Sequence, residues 1–407
     1  MVQKMRKMKD SGIDWIGEIP EGWEVGQIGQ LYSERRTKVS DKDYPPLSVT
    51  MKGILPQLST AAKTDAHDDR KLVCKGDFAI NSRSDRRGSC GISEQDGSIS
   101  LINTVLQPRG EMNPGYYNWL FHTSMFADEF YKWGHGIVDD LWTTGWSDMK
   151  KIGVPVPSKC EQKQLAEHLN FECSNIDTIL SKTRSSIEEY KKLKQAVITQ
   201  AVATQQCSHI KLKYLMNVIV DCPHETPTYS FTGNYYVIRT ADQALASLRC
   251  DEDMYRLDAS EYKKRTRRLT LDKDDIVYGR EGERWGLACI VPESNKYCLG
   301  QRIMQFRCNT KFLYPKYAMY ALNSEPVYLQ GVADTIGSTS PHVNISTVCN
   351  YLLPVPALTE QKEIANHLDA KCAEIDKLIA KKEQLVKELE SYKKSLIYEV
   401  VTGKREV

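Results

Sequence analysis

Arginine dominates the chemistry open to this chain. Arg83, Arg86 and Arg87 crowd the stretch Asn81-Ser-Arg-Ser-Asp-Arg-Arg-Gly88, and Arg280 and Arg284 stand in Gly279-Arg-Glu-Gly-Glu-Arg-Trp-Gly286. A denser run, Tyr262-Lys-Lys-Arg-Thr-Arg-Arg268, adds Lys263, Lys264, Arg265, Arg267 and Arg268. A guanidinium is a planar fork that matches a phosphate or the edge of guanine, and nearby glycines let backbone approach a duplex. Two equivalent basic loops therefore point to DNA; for the Lys263–Arg268 run taken alone, a solvated surface is an equal alternative. Gly337-Ser-Thr-Ser-Pro-His-Val-Asn344 offers Ser338, Thr339 and His342 on a small polar stretch, suited to contacting a groove or to an ordinary turn. Thr143-Thr144-Gly145-Trp146 holds the matching place earlier in the chain.

Catalysis has fewer supports. The phosphate-cradling Gly-x-x-x-x-Gly-Lys-[Ser/Thr] and the dinucleotide-binding glycine pattern are both absent from the sequence. Asn113-Pro114-Gly115-Tyr116 resembles the Asn-Pro-Pro-Tyr loop of adenine methyltransferases, but its third residue differs and no upstream glycine-rich strand–loop would hold S-adenosylmethionine. It is read as a turn that starts a helix over Tyr116–Phe121. Asp85, Glu281 and Glu283 form no metal-nuclease pattern. Cys222-Pro223-His224 lacks a second ligand pair and is read as a turn, so no metal site is assigned. His168 and His367 sit beside Leu169 and Leu368 and suit packing or partner contact. The chain reads as a binder with no catalytic residues and no cofactor of its own.

An internal repeat supplies the elements that must position the arginines. Val154-Pro-Val-Pro157 is followed by Glu161-Gln162-Lys163, Ala166, His168-Leu169, Cys173 and Ile176-Asp177. Leu353-Pro-Val-Pro356 is followed by Glu360-Gln361-Lys362, Ala365, His367-Leu368, Cys372 and Ile375-Asp376, at a constant offset of about 200 residues. The register holds through Lys194/Lys393 and Val202/Val401. Neither copy contains Pro or Gly between Glu161 and Thr204 or between Glu360 and Thr402, so each predicts one long helix. Ile176, Ile179, Thr183, Ile187, Tyr190, Leu193 and Val197 recur at coiled-coil spacing, as do Ile375, Leu378, Lys382, Leu385, Leu389, Tyr392 and Leu396. Each seam needs a partner, and the other copy is the obvious one. Ile176 to Ala203 would span roughly 40 Å at about 1.5 Å per residue. One turn of B-DNA is about 34–36 Å, the spacing of half-sites read by two-headed proteins. A structural hairpin without that metric role is the plain alternative.

The blocks between the helices share an order of features but few side chains. Each opens with a short amphipathic piece, around Trp23–Ile28 or Ile210–Leu215. A strand follows acid and turn residues, at Phe78–Ile80 or Ile276–Tyr278, and leads into a basic loop. Another strand comes next, at Cys90–Ile92 or Leu287–Val291, then an aromatic helix at Tyr116–Phe121 or Pro315–Tyr320. The expected fold is α/β, with two such domains separated by a long antiparallel two-helix coiled coil in a pseudo-two-fold repeat. The expected boundaries are 1–153, 154–208, 209–352 and 353–407.

Composition agrees. Hydrophobic residues make up 41% and charged residues 27% of 407, as in a folded globular protein. The net charge of +2 confines any DNA-binding surface to local patches. The 12 cysteines are scattered with no Cys-x-x-Cys pair, which excludes a disulfide scaffold. No stretch nears the roughly 20 apolar residues of a membrane span, and the basic start has no signal-peptide core, so a cytoplasmic protein is expected.

The two Pro-Val-Pro…Glu-Gln-Lys…Ile-Asp repeats resemble the central regions of type I restriction–modification specificity subunits, the HsdS family. The closing Tyr392-Lys-Lys-Ser-Leu-Ile-Tyr-Glu-Val-Val-Thr-Gly-Lys404 and the opening Lys9-Asp-Ser-Gly-Ile-Asp-Trp-Ile-Gly-Glu-Ile-Pro-Glu-Gly-Trp23 are similar to that family's ends. The first repeat departs at Val202-Ala203-Thr204, where the second has Val-Thr-Gly. The resemblance covers the whole chain; the blocks match in layout only. It implies two target-recognition domains reading the halves of a split, asymmetric site. It also implies two methyltransferase subunits bringing S-adenosylmethionine and two motor–nuclease subunits using ATP and Mg²⁺. The rivals are a self-sufficient methyltransferase or nuclease, and a coiled-coil scaffold that binds only proteins.

Overall fold

Both long helices form where the Pro- and Gly-free stretches predict them, as Lys159–Ala203 (α1) and Leu358–Val401 (α2). The computed structural model describes residues 6–57, 68–136, 142–203, 207–249, 251–282, 284–334 and 341–407. The glutamine of each Glu-Gln-Lys motif ties its helix start to the block before it. Gln162 Nε2 donates to the Pro157 carbonyl (2.8 Å) and its Oε1 accepts from Asn113 N–H (2.9 Å). Gln361 repeats this with the Pro356 carbonyl (2.8 Å) and Tyr314 N–H (2.7 Å).

The expected seam holds at Ile176, Thr183, Ile187, Ile375 and Leu396, which are buried, and fails at five other positions. Cys173, Ile176, Leu180, Thr183, Ile187, Lys194 and Ile198 face inward along α1, whereas Ile179 and Leu193 are exposed. In α2, Cys372, Ile375 and Leu396 are buried, while Leu378, Leu385 and Tyr392 are exposed. Lys194 and Lys393 on these faces meet acidic partners.

Two compact units result: Met1–Lys182 with Leu385–Val407, and Thr183–Gln384. Each combines one block with a segment of each helix. In the first unit Lys393 Nζ donates to Asp177 (2.6 Å); in the second Lys194 Nζ donates to Asp376 (2.8 and 2.9 Å). In the second unit Lys382 Nζ also lies over the Tyr190 ring at 5.7 Å, which with Lys194–Asp376 makes the two helices antiparallel there.

The first block centres on β1 (Tyr32–Glu34), β2 (Phe78–Asn81), β3 (Cys90–Ile92) and β4 (Asn103–Pro108). They form an antiparallel sheet ordered β1-β4-β2-β3. The second block contains β5 (Met216–Asp221), β6 (Tyr235–Ile238), β7 (Arg256–Leu257), β8 (Ile276–Gly279), β9 (Ala288–Ile290), β10 (Tyr297–Leu299) and β11 (Ile303–Cys308). Its main sheet, β5-β11-β8-β9, has the same order and is likewise antiparallel. A turn aspartate anchors the central strand of both. Asp77 accepts from Cys74 N–H (2.9 Å) and Arg35 (2.6 Å); Asp275 accepts from Asp272 N–H (2.8 Å) and Arg307 (2.8 Å). These carboxylates raise the pKa of Arg35 and Arg307.

The predicted aromatic helices span Pro114–Phe121 and Pro315–Leu322. Asn113 caps the first by accepting from Tyr116 N–H (3.3 Å), so the Asn-Pro-Gly-Tyr segment is the turn expected. Tyr32, Phe78, Tyr117, Phe121 and Phe126 build the first core, into which Leu396 and Val400 of α2 also pack. The opening and closing motifs meet there: the Ile16 carbonyl accepts from Tyr398 Oη (3.1 Å) and Lys404 Nζ (2.8 Å). Among the described residues, no helix is long and apolar enough to cross a membrane.

Candidate nucleic-acid interface

In each unit the basic loop emerges from the central strand and pairs with the polar stretch that precedes the last strand. Arg83 and Thr143 form a β-bridge in the first unit, and Glu281 and His342 form its counterpart in the second. Further backbone bonds join the same segments: Thr144 N–H to the Ser82 carbonyl (2.9 Å), and Val343 N–H to the Arg280 carbonyl (3.1 Å). The sequence placed these loops at matching points of the two blocks, and the fold joins them. Ser338 and Thr339 lie outside the described residues.

The first loop keeps its arginines at the surface. Arg86 is 68% exposed with Asp85 at 3.7 Å, and Arg83 reaches Asp85 at 3.2 Å. Arg87 pairs with Asp128 and lies over the Tyr131 ring at 5.5 Å. Such half-paired surface guanidiniums exchange one anion for another at small cost, because exposed ion pairs are weak.

In the second unit two of the expected arginines are engaged inside the fold. Arg280 is buried, held by Glu281 (2.6 Å), Asp221 (3.4 Å) and the Val343 carbonyl (3.3 Å). Its charge is spent inside the unit, on pinning the basic loop to the polar stretch. Arg265 is 2% exposed and donates to the carbonyls of Leu299 (3.0 Å), Glu225 (3.0 Å) and Pro223 (3.4 Å). Neither guanidinium is free to meet a phosphate. Arg284 is exposed but donates to the Ala241 (2.8 Å) and Gln243 (3.1 Å) carbonyls.

The cationic face of the second unit lies instead on the helix Ala259–Arg265 and the turn after it. Lys263, Arg267 and Arg268 are exposed, and Lys264 pairs with Glu225 at 2.8 Å. Tyr262 stacks on Tyr235 of β6 at 4.0 Å, which seats this helix on the small sheet β7-β6-β10. Arg239 and Arg256 of that sheet region were not singled out by the sequence. Arg239 lies over the Tyr255 ring at 3.7 Å and Arg256 over the Tyr236 ring at 5.6 Å. The available signal was their interleaving with tyrosines.

Asp221, Cys222 and His224 bring one potential ligand atom each within 4.8 Å. Their chemistry fits a turn better than a cation. Asp221 faces His224 (2.9 Å) and the Arg280 guanidinium, and Cys222 Sγ accepts from Arg302 N–H (3.1 Å). Burial raises the Cys222 pKa, favouring the protonated thiol over a metal-binding thiolate.

Comparison with known proteins agrees with this geometry. Residues 222–388 match the family described as "Type I restriction modification DNA specificity domain". The chain is 22% identical over 419 residues to the type I restriction enzyme MjaVIII specificity subunit of Methanocaldococcus jannaschii, covering 95% of this chain and 93% of that one. It is 29% identical over 132 residues to the EcoBI specificity subunit of Escherichia coli, over 32% of this chain and 27% of the relative. A chain from a structure titled for complex assembly and conformational transition of the type I R-M system superposes with a TM-score of 0.71 at 12% identity, over 94% of this chain and 98% of the other. The HsdS subunit of Thermoanaerobacter tengcongensis gives 0.52 at 15% identity, over 95% and 98%. These two likenesses establish the shared fold.

Proposed function

We infer that this chain is a non-catalytic, sequence-specific DNA-binding subunit of the HsdS family, the specificity subunits of type I restriction–modification enzymes. Its two blocks read the halves of a split, asymmetric site and direct adenine methylation or restriction by partner subunits. The observation that carries this reading is the paired layout. Two units share a strand order and the same bridge between basic loop and polar stretch, yet present different side chains there. Divergent surfaces on a repeated frame are what two readers of different sequences require.

Lysine and arginine contacts to phosphate supply salt-dependent affinity, and a few side chains per unit supply base readout. We assign the surface contacts to Arg83, Arg86 and Arg87 in the first unit and to Lys263, Lys264, Arg267, Arg268 and Arg284 in the second, and count His342, Ser338 and Thr339 as further contacts. The boundaries 1–153, 154–208, 209–352 and 353–407 divide readers from spacer helices. Two methyltransferase subunits bind the helices and carry S-adenosylmethionine, and two motor–nuclease subunits use ATP and Mg²⁺, all in the cytoplasm.

The test is genome-wide adenine methylation in cells expressing this chain with its cognate methyltransferase subunit, against cells lacking the chain. A two-part motif with a fixed gap, present only with the chain, is expected. No new motif, with the same methyltransferase active beside another specificity subunit, would favour a protein-binding scaffold.

A further inference from the structure

The segment Cys222–Gly233 of the second unit carries a feature that the basic loops do not explain. Phe231 is fully exposed, and Tyr229 and Tyr255 beside it are also exposed, edge to face at 4.7 Å. An exposed phenylalanine forgoes the gain that burial would bring, so a slack loop would fold it inward. This loop is tied down at both ends. At its start, Arg265 holds the Pro223 and Glu225 carbonyls, and Lys264 pairs with Glu225. Near its end, Ser230 N–H donates to the Arg256 carbonyl of β7 (2.9 Å). Gly233 passes so close to the Leu257 carbonyl that a Cβ there has no room. Phe231 therefore projects from a laced loop.

The surroundings specify the occupant. The helix that laces the loop also carries Lys263 and leads into Arg267 and Arg268, all exposed. Three nearby acids are engaged, Glu225 with Lys264, Glu261 with Arg265 at 3.9 Å and Asp242 with Arg239, while Glu252, Asp253 and Asp258 are exposed. An exposed aromatic ring on a loop laced to a cationic helix suits a polyanion with flat, stackable faces, which is DNA.

We propose that Phe231 is a base-stacking residue of the second unit, held out by Arg265 to stack on a base where the bound duplex is opened. This rests on the DNA-reading role inferred above and adds to it a residue that arginine chemistry does not predict. Methylating an adenine in a duplex requires the base to leave the stack, and a rigid aromatic side chain offers a replacement surface. Arg265, buried and bonded to the loop's carbonyls, is a positioning residue for this contact.

The experiment uses the chain assembled with its methyltransferase subunit, and duplexes bearing either the methylated motif or a scrambled motif. Phe231→Ala is expected to weaken binding to the motif duplex by roughly 5- to 150-fold, the range for losing one base–aromatic stack. Phe231→Trp should restore it, and the melting temperature of Phe231→Ala should match the wild type because the ring packs on nothing. Equal affinity of Phe231→Ala and wild type for the motif duplex would overturn the proposal. So would loss of methyltransferase assembly in Phe231→Ala, which would mark the ring as a protein contact. A wild-type complex that binds both duplexes alike would instead refute the DNA-reading role, and this proposal with it.

Discussion

Replacing Asp376 with alanine should strand a cation inside the second unit. The Lys194 side chain is 5% exposed, and its ammonium donates to both Asp376 oxygens and to the Leu245 carbonyl (2.8 Å). Without Asp376 a single carbonyl faces a buried charge. Removing one partner of a buried pair costs about 3–5 kcal/mol, and the partial exposure of Asp376 lets water in, so the lower end applies, about 3 kcal/mol. The repeat provides its own control. Lys393 and Asp177 make the same contact at 2.6 Å, but Lys393 is 24% exposed and Asp177 59%. Asp177→Ala should therefore cost about 1 kcal/mol or less. The assay is urea unfolding of the full chain at neutral pH, with each unit followed by amide hydrogen exchange in its helix segments. With two compact units, a single unfolding free energy has no meaning, so each transition is read separately. Equal shifts for the two variants would refute the burial argument. A Lys194→Met/Asp376→Ala double variant no more stable than Asp376→Ala would refute it too, since methionine removes the stranded charge.

Arg280→Ala should lower stability by about 3 kcal/mol, because it leaves Asp221 and Glu281 without their shared cation; a melting temperature unchanged from wild type would return Arg280 to the surface contacts. Neutralising Lys263, Arg267 and Arg268 together should flatten the slope of log affinity against log salt by up to about 3 and leave the methylated motif unchanged, measured by fluorescence anisotropy and methylation mapping. A new motif would mean that these side chains read bases. Burial pushes the thiols of Cys289, Cys298 and Cys308 up to about 12 from an ordinary 9.0. Between those values the folded chain holds thiol protons that the unfolded chain has released, so stability falls as pH rises through the window, and urea midpoints of the second unit should fall above about pH 9.

The helices were legible because their signal is local and repeated: forty-odd residues without Pro or Gly, twice, in one register. The central strands were legible for the same reason, each marked by an aspartate turn before an apolar run. The phase of the seam was harder. Ile179 and Leu180 are neighbours on a helix with 3.6 residues per turn, and apolar spacing alone suits either. The buried face of Leu180 also carries Lys194, a residue an apolar pattern discards. Lys194 and Asp376 were visible as identities of the repeat; their pairing with each other became visible only when the helices ran antiparallel.

The arginines show the limit more sharply. Arg265 and Arg267 stand two residues apart in one basic run, yet one is buried against three carbonyls and the other faces solvent. Arg280 and Arg83 stand in matching loops one place apart, Arg280 at the position of Ser82, yet one closes an internal ion cluster and the other stays half-exposed. Composition cannot separate these cases, because the deciding partners, Leu299, Pro223, Asp221 and Val343, lie far away in sequence. Charge density in a sequence locates a region that can bind DNA. Which charges remain for DNA depends on how many the fold itself consumes, and in the second unit it consumes two of the strongest candidates to fix the loops on which the others act.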